Sequence, residues 1–168
     1  MLLQDVLYKV AIRSVTGSTA VEINDVQTDS RKIKKGAVFI AVKGSAADGH
    51  QFIEKAIESG AAAVVGENLP DNRKDHVVYV QVENSAVAAG YMAHQFFGRP
   101  TEKVKLVGVT GTNGKTTIAT LLYKLFTRLG YTCGLISTVE NRIGEQVVNA
   151  THTTPDAISL NQLLQQMS

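Results

Sequence analysis

Short apolar runs alternate with amphipathic stretches along most of the chain. Apolar and polar residues alternate over residues 21–28, whereas residues 37–42 (AVFIAV) are apolar without a break. Alternation is typical of a half-buried strand, and a short unbroken run is typical of a strand covered on both faces. Residues 61–65 and 77–82 are two more runs of the second kind. The pattern predicts an α/β fold with a buried sheet.

Helical periodicity separates these predicted strands. Apolar residues at 52, 53, 56 and 57 recur at helical spacing, and Gly60 is a predicted helix end. A second helix is predicted to begin at Asn84 or Ser85, either of which can cap free amide groups, and to run to Gly98. Residues 1–98 therefore form one predicted unit.

A polar stretch with a proline, residues 99–103, follows this unit. Proline disfavours helical geometry in the residue before it, so we predict a linker here. Three predicted elements come next: a strand at 105–110, a helix at 116–129 and a strand at 132–138. They predict a β-loop-α-β unit beginning at residue 104.

The last predicted helix begins with a capping hydroxyl on Thr154, a proline in the first turn and an acid, Asp156, near the positive helix end. The elements after residue 103 are too few to complete a doubly wound domain. We therefore expect residues 104–168 to be the incomplete start of a larger domain.

Composition narrows the class of protein. The chain has 168 residues, 44% of them hydrophobic and 19% charged, with a formal net charge of +2. No apolar run approaches the ~20 residues of a membrane helix, and the N-terminus is too short and too acidic for a signal peptide. Because the basic residues are scattered, nucleic acid is not an expected partner. We predict a cytoplasmic globular protein without a membrane span.

Cysteine and histidine give no sign of a metal centre. The single cysteine, Cys133, excludes an internal disulfide and a Cys-rich zinc site, and we expect it to be a small buried residue. His50, His76 and His94 have no partner at metal-ligand spacing. We expect them to be ordinary surface or core residues.

The clearest chemical motif is a glycine-containing loop, GVTGTNGKTT at residues 108–117, between a predicted strand and a predicted helix. Such a loop directs backbone N–H groups and the positive helix end at one spot, where glycine lets a phosphate approach. Lys115 is expected to reach the β and γ phosphates, and Thr116 to offer its hydroxyl to Mg²⁺. The common pattern G-x-x-x-x-G-K-[ST] would need glycine at Val109, and a plain strand-to-helix turn is the alternative.

The string GTNGKTT at 111–117 resembles the phosphate loop of the Mur ligases, ATP-dependent amide ligases that build the cell-wall peptide. Three further strings share the resemblance: TDSR at 28–31, GSAADGH at 44–50 and HTTP at 152–155. The similarity extends over residues 20–168 and is greatest to the members that add the third peptide residue. It implies a small N-terminal Rossmann-like UDP-binding domain, residues 1–98, followed by the truncated start of a P-loop α/β ATPase domain.

The resemblance also implies site residues. The ATP-binding residues would be Gly111, Thr112, Asn113, Gly114, Lys115, Thr116 and Thr117, with Lys115 catalytic and Thr116 the metal ligand. The UDP-substrate contacts would be Thr28, Ser30, Ser45, Ala46, Ala47, His152, Thr153 and Thr154. A serine hydroxyl, loop amides and Arg31 can offer donors to a pyrophosphate. In the alternative interpretation, residues 28–31 and 47–49 are ordinary turns and Thr154 only caps a helix.

By the same resemblance the cofactors are ATP and Mg²⁺, and the substrates are UDP-MurNAc-L-Ala-D-Glu and a diamino acid, meso-diaminopimelate or L-lysine. The family activates the poorly electrophilic carboxylate as an acyl phosphate, which the amine then attacks. Its later magnesium ligands, its carbamylated lysine and its C-terminal domain have no counterpart in these 168 residues. We therefore expect these residues alone to bind the UDP substrate weakly and not to ligate.

Three other functions stay open. A folylpolyglutamate synthetase shares the loop but has no front UDP-binding domain, and a P-loop small-molecule kinase would leave residues 1–98 without a purpose. A non-catalytic nucleotide-binding module is the alternative from another class, and binding of UDP-sugars by the first unit would separate it from a ligase. Neither the diamino acid nor the oligomeric state follows from the sequence.

Overall fold

The computed structural model describes residues 1–44, 47–149 and 155–168. The chain divides into two compact units, Met1–Gly98 and Arg99–Ser168. Every helix among the described residues is too short or too polar to cross a lipid bilayer.

The first unit is built on a five-stranded sheet with the strand order β1-β5-β4-β3-β2. Its elements in chain order are α1 (Leu3–Val6), β1 (Ile12–Thr16), β2 (Asp25–Gln27), β3 (Ala37–Ile40), α2 (Ile53–Glu58), β4 (Ala63–Gly66), β5 (Val78–Val82) and α3 (Ser85–Phe96). Strands β2 to β5 are mutually parallel, and β1 pairs antiparallel with β5. The carboxyl ends of four strands therefore meet at one edge of the sheet.

Buried side chains cover both faces of the parallel strands. Every residue of β3 and β4 is buried, as their unbroken apolar runs predict. Phe39, Val64 and Tyr79 pack with α2 in one apolar cluster. Because successive side chains of a strand point to opposite faces, Val38 and Val65 are buried on the other face. Each such side chain contributes ~1.5–3 kcal/mol through burial.

The ends of the helices in this unit follow local sequence signals. Asn84 caps α3, because its Oδ1 accepts a hydrogen bond from the Val87 N–H at 2.9 Å. This confirms the first of the two predicted start points. Gly60 follows α2 with a φ of +96°, a left-handed conformation that glycine adopts without strain. Helix α1 and strand β1 were not predicted: α1 is only four residues long, although Leu3 and Val6 are buried, and every residue of β1 is exposed.

The second unit contains a long helix and a small antiparallel sheet. After a short 3-10 turn, Pro100–Glu102, its elements are α4 (Lys115–Arg128), β6 (Gly134–Ile136), β7 (Glu140–Ile143), β8 (Gln146–Asn149) and α5 (Ala157–Gln166). The strands pair in the order β6-β7-β8. The Tyr123 hydroxyl donates to the Gly144 carbonyl at 2.6 Å, which connects α4 to the β7–β8 turn.

The predicted strand at 105–110 is wrong. Residues 105–110 have no regular secondary structure, and within the described part of the chain no strand pairs with them. A short apolar run becomes a strand only where a neighbour completes its backbone hydrogen bonds. Strand β6 instead pairs antiparallel with β7, so the described residues after 103 do not form the predicted β-loop-α-β unit.

The apolar stripe of α4 is present but not buried. Leu121 is 60% exposed, Leu125 52% and Ile118 49%. The periodicity of these residues predicted the helix correctly, because a helical face is a local property of the sequence. Their burial depends on a covering surface, and helix α4 has no buried residue.

Two smaller expectations also need correction. Helix α5 is capped by Asp156, whose Oδ1 accepts from the Ser159 N–H at 2.7 Å. Thr154, the predicted cap, lies outside the described residues. An aspartate directly before the helix supplies the acceptor that a hydroxyl was expected to give. Cys133 is half-buried and lies just before β6, rather than buried within it.

Candidate nucleotide and substrate sites

The predicted phosphate loop lies directly before α4, a helix of 14 residues. Gly114 is the residue before the helix and has a φ of +78°, while the Ile118 N–H donates to its carbonyl at 2.9 Å. A Cβ at Gly114 would have no heavy atom within 4 Å, so the approach to the helix N-terminus is open. Residues 111–115 are all exposed. The positive end of α4 thus faces a site that an anion can reach.

Lys115 lies over its own loop. Its Nζ donates to the carbonyl oxygens of Gly111 at 2.5 Å and Thr112 at 3.3 Å. Phosphate oxygens carry negative charge and are stronger acceptors than these carbonyls. A bound phosphate would therefore draw the ammonium group away from the carbonyls without a change in the helix.

Thr116 has a hydroxyl partner that sequence reasoning missed. Its Oγ1 lies 3.4 Å from Oγ1 of Thr138, which follows β6. The two threonines are 22 positions apart in the chain, so no local motif connects them. The one signal in the sequence was that Thr138 is a polar residue at the end of a predicted strand.

The donor set of the loop fits a magnesium nucleotide. Backbone amides, an ammonium group and hydroxyls suit phosphate oxygens, and a threonine hydroxyl is a hard oxygen ligand of the kind that Mg²⁺ accepts. Among the described residues, no three His, Cys, Asp or Glu side chains form a cluster that could hold a metal ion.

The candidate UDP-substrate residues of the first unit lie at the carboxyl edge of its sheet. Thr28 and Ser30 follow β2, and Ala47 lies in the loop after the neighbouring strand β3. Ala47 is exposed and Thr28 half-buried, whereas Ser30 is only 6% exposed. Open parallel sheets bind ligands at this edge. The other predicted contacts, Ser45, Ala46, His152, Thr153 and Thr154, lie outside the described residues.

Asp29 and Arg31, which lie next to Ser30 in the segment after β2, form an ion pair. Nε of Arg31 donates to Oδ1 of Asp29 at 2.9 Å, and its Nη2 donates to Oδ2 at 2.8 Å. These side-chain bonds lower the pKa of Asp29 to about 2. The guanidinium group is thereby oriented by Asp29, although 79% of the Arg31 side chain is exposed.

Two family models match the chain. The Mur ligase family, catalytic domain, matches residues 22–97, and the Mur ligase middle domain matches residues 109–168. The chain belongs to the Mur ligase family. The resemblance read from the GTNGKTT loop is thus confirmed, and so is the α/β class of this Mur ligase chain.

Similar Mur ligases include UDP-N-acetylmuramoyl-L-alanyl-D-glutamate–2,6-diaminopimelate ligase of Cytophaga hutchinsonii, which is 55% identical over 168 residues, 99% of this chain and 35% of the relative. The Phocaeicola vulgatus protein of the same name is 49% identical, over 100% of this chain and 35% of the relative. A solved structure of a protein with that name has a TM-score of 0.70 at 26% identity and covers 99% of this chain and 33% of that one. The chain thus spans about a third of the length of these relatives.

Proposed function

We propose that the protein serves ATP-dependent amide ligation in peptidoglycan precursor synthesis, joining a diamino acid to UDP-MurNAc-L-Ala-D-Glu. The observation that carries this proposal is the 55% identity, along the whole chain, to a ligase named for that reaction. The phosphate loop at the start of α4 supports it, because a carboxylate needs activation by phosphoryl transfer before an amine can displace it.

In this proposal the second unit binds ATP. The loop amides and the Lys115 ammonium hold the β and γ phosphate oxygens and neutralise the charge that gathers there. Mg²⁺, when bound at Thr116, would add positive charge next to the same oxygens. The side-chain carboxylate of D-glutamate takes the γ-phosphoryl group from ATP to give an acyl phosphate and ADP. The amine then replaces phosphate, which leaves as the amide forms.

The first unit holds the UDP end of the substrate in this proposal. Thr28, Ser30 and the loop around Ala47 lie at the end of two neighbouring parallel strands, which supports one shared site. The names of the relatives favour diaminopimelate over L-lysine as the diamino acid. A cytoplasmic location is part of the proposal, because both ATP and the UDP precursor would be met there.

Ligand binding by the 168-residue chain tests the proposal. In isothermal titration calorimetry we expect binding of a non-hydrolysable ATP analogue with Mg²⁺, and weak binding of UDP-MurNAc-L-Ala-D-Glu. Lys115→Ala should weaken the nucleotide affinity about tenfold or more, since it removes a charged donor. Lys124→Ala, which removes an exposed lysine from the same helix, is the matched control and should bind as the wild type.

The alternatives give other results. A nucleotide-binding module or a small-molecule kinase would bind the ATP analogue but not the UDP substrate. Equal nucleotide affinity of Lys115→Ala and Lys124→Ala would contradict the assignment of the loop. Absence of UDP-substrate binding at millimolar concentration would contradict the role of the first unit.

A further inference from the structure

His50 lies in a hydrogen-bonded chain at the carboxyl edge of the first sheet. Its side chain is 11% exposed. Nδ1 lies 2.6 Å from Oδ1 of Asp48, and Nε2 accepts from the Glu67 N–H at 3.0 Å. Because a backbone N–H can only donate, Nε2 carries no hydrogen and Nδ1 donates to the carboxylate. The imidazole is therefore held as one neutral tautomer with both nitrogens engaged.

At one end of this series of hydrogen bonds, Asp48 closes the loop after β3. The Asp48 carboxylate accepts from both the backbone N–H of His50, at 3.0 Å, and its ring. Asp48 also forms a β-bridge with Lys43, and the Gly44 N–H donates to the Ala47 carbonyl at 2.9 Å. The described ends of the loop are thus held together, and Ala47 takes part in the inner of the two contacts.

The base of the loop leaves no room for a side chain at Gly49. The Gly49 N–H donates to the Val42 carbonyl at 2.9 Å. A Cβ at Gly49 would lie 2.6 Å from the same oxygen, closer than side chains tolerate. Asp48 is therefore held in two ways: the backbone bond of the next residue, Gly49, fixes its main chain, and His50 holds its carboxylate.

At its other end, the hydrogen-bonded series of His50 reaches the end of β4 and the start of α3. Glu67 follows β4, and its Oε1 accepts from the Ser85 N–H at 2.9 Å and the Ser85 hydroxyl at 3.1 Å. These bonds, with the backbone bond the largest cause, lower the pKa of Glu67. Gly66 gives the ring its room, since a Cβ there would lie 3.1 Å from Nε2 of His50. His50 thus connects the loop after β3 to the end of β4 and, through Glu67, to the start of α3.

We infer that His50 is a positioning residue for the UDP substrate, because its imidazole fixes the loop that carries Ala47 against the carboxyl edge of the sheet. This inference rests on the proposed function of that loop. It replaces the sequence-based expectation that His50 is an ordinary surface or core residue. His50 itself acts through Asp48 and touches no reacting group.

Three substitutions separate the two bonds of the imidazole. His50→Asn keeps a donor near Nδ1 for Asp48, His50→Gln can place an acceptor near the Glu67 N–H, and His50→Ala removes both. His76→Ala is the matched control, since His76 is exposed and lies outside this chain of hydrogen bonds. Each variant is made in the 168-residue chain. Calorimetry gives the affinity for UDP-MurNAc-L-Ala-D-Glu and for the ATP analogue, and thermal unfolding gives Tm.

We expect His50→Ala to weaken the UDP-substrate affinity of the folded chain about tenfold. His50→Asn and His50→Gln should restore part of the loss, and the affinity for the ATP analogue should not change in any variant. The control should match the wild type in every measurement.

Two results would overturn the inference. One is wild-type UDP-substrate affinity in folded His50→Ala, or in His50→Asn and His50→Gln if the alanine variant does not fold. The other is a fall in Tm without a change in the affinity of the folded fraction, which would mark a structural histidine only. In both cases the proposed function stands, because the wild type binds the substrate. If the wild type does not bind it, the proposed function fails first.

Discussion

The carboxylate of Asp29 is expected to titrate at unusually low pH because of Arg31. Its pKa is about 2 in the folded chain, chiefly through the side-chain hydrogen bonds from Arg31. Arg31→Gln should raise this pKa toward the ordinary value of about 3.9. A carbon-detected NMR titration of the aspartate side chains measures the change.

The same pair has a consequence for acid stability. A folded-state pKa below the unfolded one stabilises the protein above the unfolded value, near 4, and this stabilisation is lost as pH falls toward 2. Arg31→Gln should therefore lose less stability than the wild type over that interval. Arg13→Gln, which removes an exposed arginine paired with Glu83, is the control. An unchanged Asp29 pKa in Arg31→Gln would contradict the assignment.

Residues of the phosphate loop could be predicted from the sequence, whereas the partners of other site residues could not. Gly114, Lys115 and Thr116 are adjacent in the chain, so one local string places all three at the start of a helix. The contact of Thr116 with Thr138 joins residues 22 positions apart, and the contact of His50 with Glu67 joins residues 17 apart. Such pairs depend on how strand ends come together, which no local pattern contains.

At the scale of single elements, the cap of α3 offers a direct test. The Asn84 side chain accepts from the Val87 N–H, one of the amides that the helix itself leaves without a partner. Asn84→Ala should lower the free energy of unfolding of the first unit by ~1 kcal/mol, while Asn84→Asp should keep most of it. Urea denaturation followed by circular dichroism measures both variants. Equal stability of Asn84→Ala and the wild type would mean that water replaces the cap.

The predicted strands of the two units had different outcomes for a physical reason. Residues 37–42 and 105–110 are both apolar enough to form buried strands. Strand β3 pairs with β2 on one side and β4 on the other, and all its residues are buried. Residues 105–110 pair with no described strand. Local propensity allows an extended segment, but pairing is what makes it a strand.

At the scale of the whole chain, we expect each of the two compact units to have its own free energy of unfolding. Val64→Ala removes a fully buried side chain from the apolar cluster of the first unit. It should destabilise that unit by ~2 kcal/mol, through lost burial and the cavity that remains. Hydrogen exchange with peptide-level mass spectrometry should show faster exchange in residues 1–98 and unchanged exchange in residues 99–168.

Nucleotide affinity is the second measurement for this variant. The phosphate loop belongs to the second unit, so Val64→Ala should bind the ATP analogue as the wild type does. Val87→Ala, a substitution of a valine that is 54% exposed, controls for the loss of a side chain outside the cluster. Faster exchange throughout residues 1–168 would show that the units unfold together.

Gly66 limits the order in which this chain can diverge. A Cβ at position 66 would lie 3.1 Å from Nε2 of His50, so the imidazole would have to shift by a few tenths of an ångström. A lineage that acquires alanine at 66 first meets a steric conflict, whereas one that first replaces the histidine by a smaller residue does not. Replacement of the histidine is therefore expected to precede replacement of the glycine. A library that randomises both positions together should recover alanine at 66 combined with a smaller residue at 50.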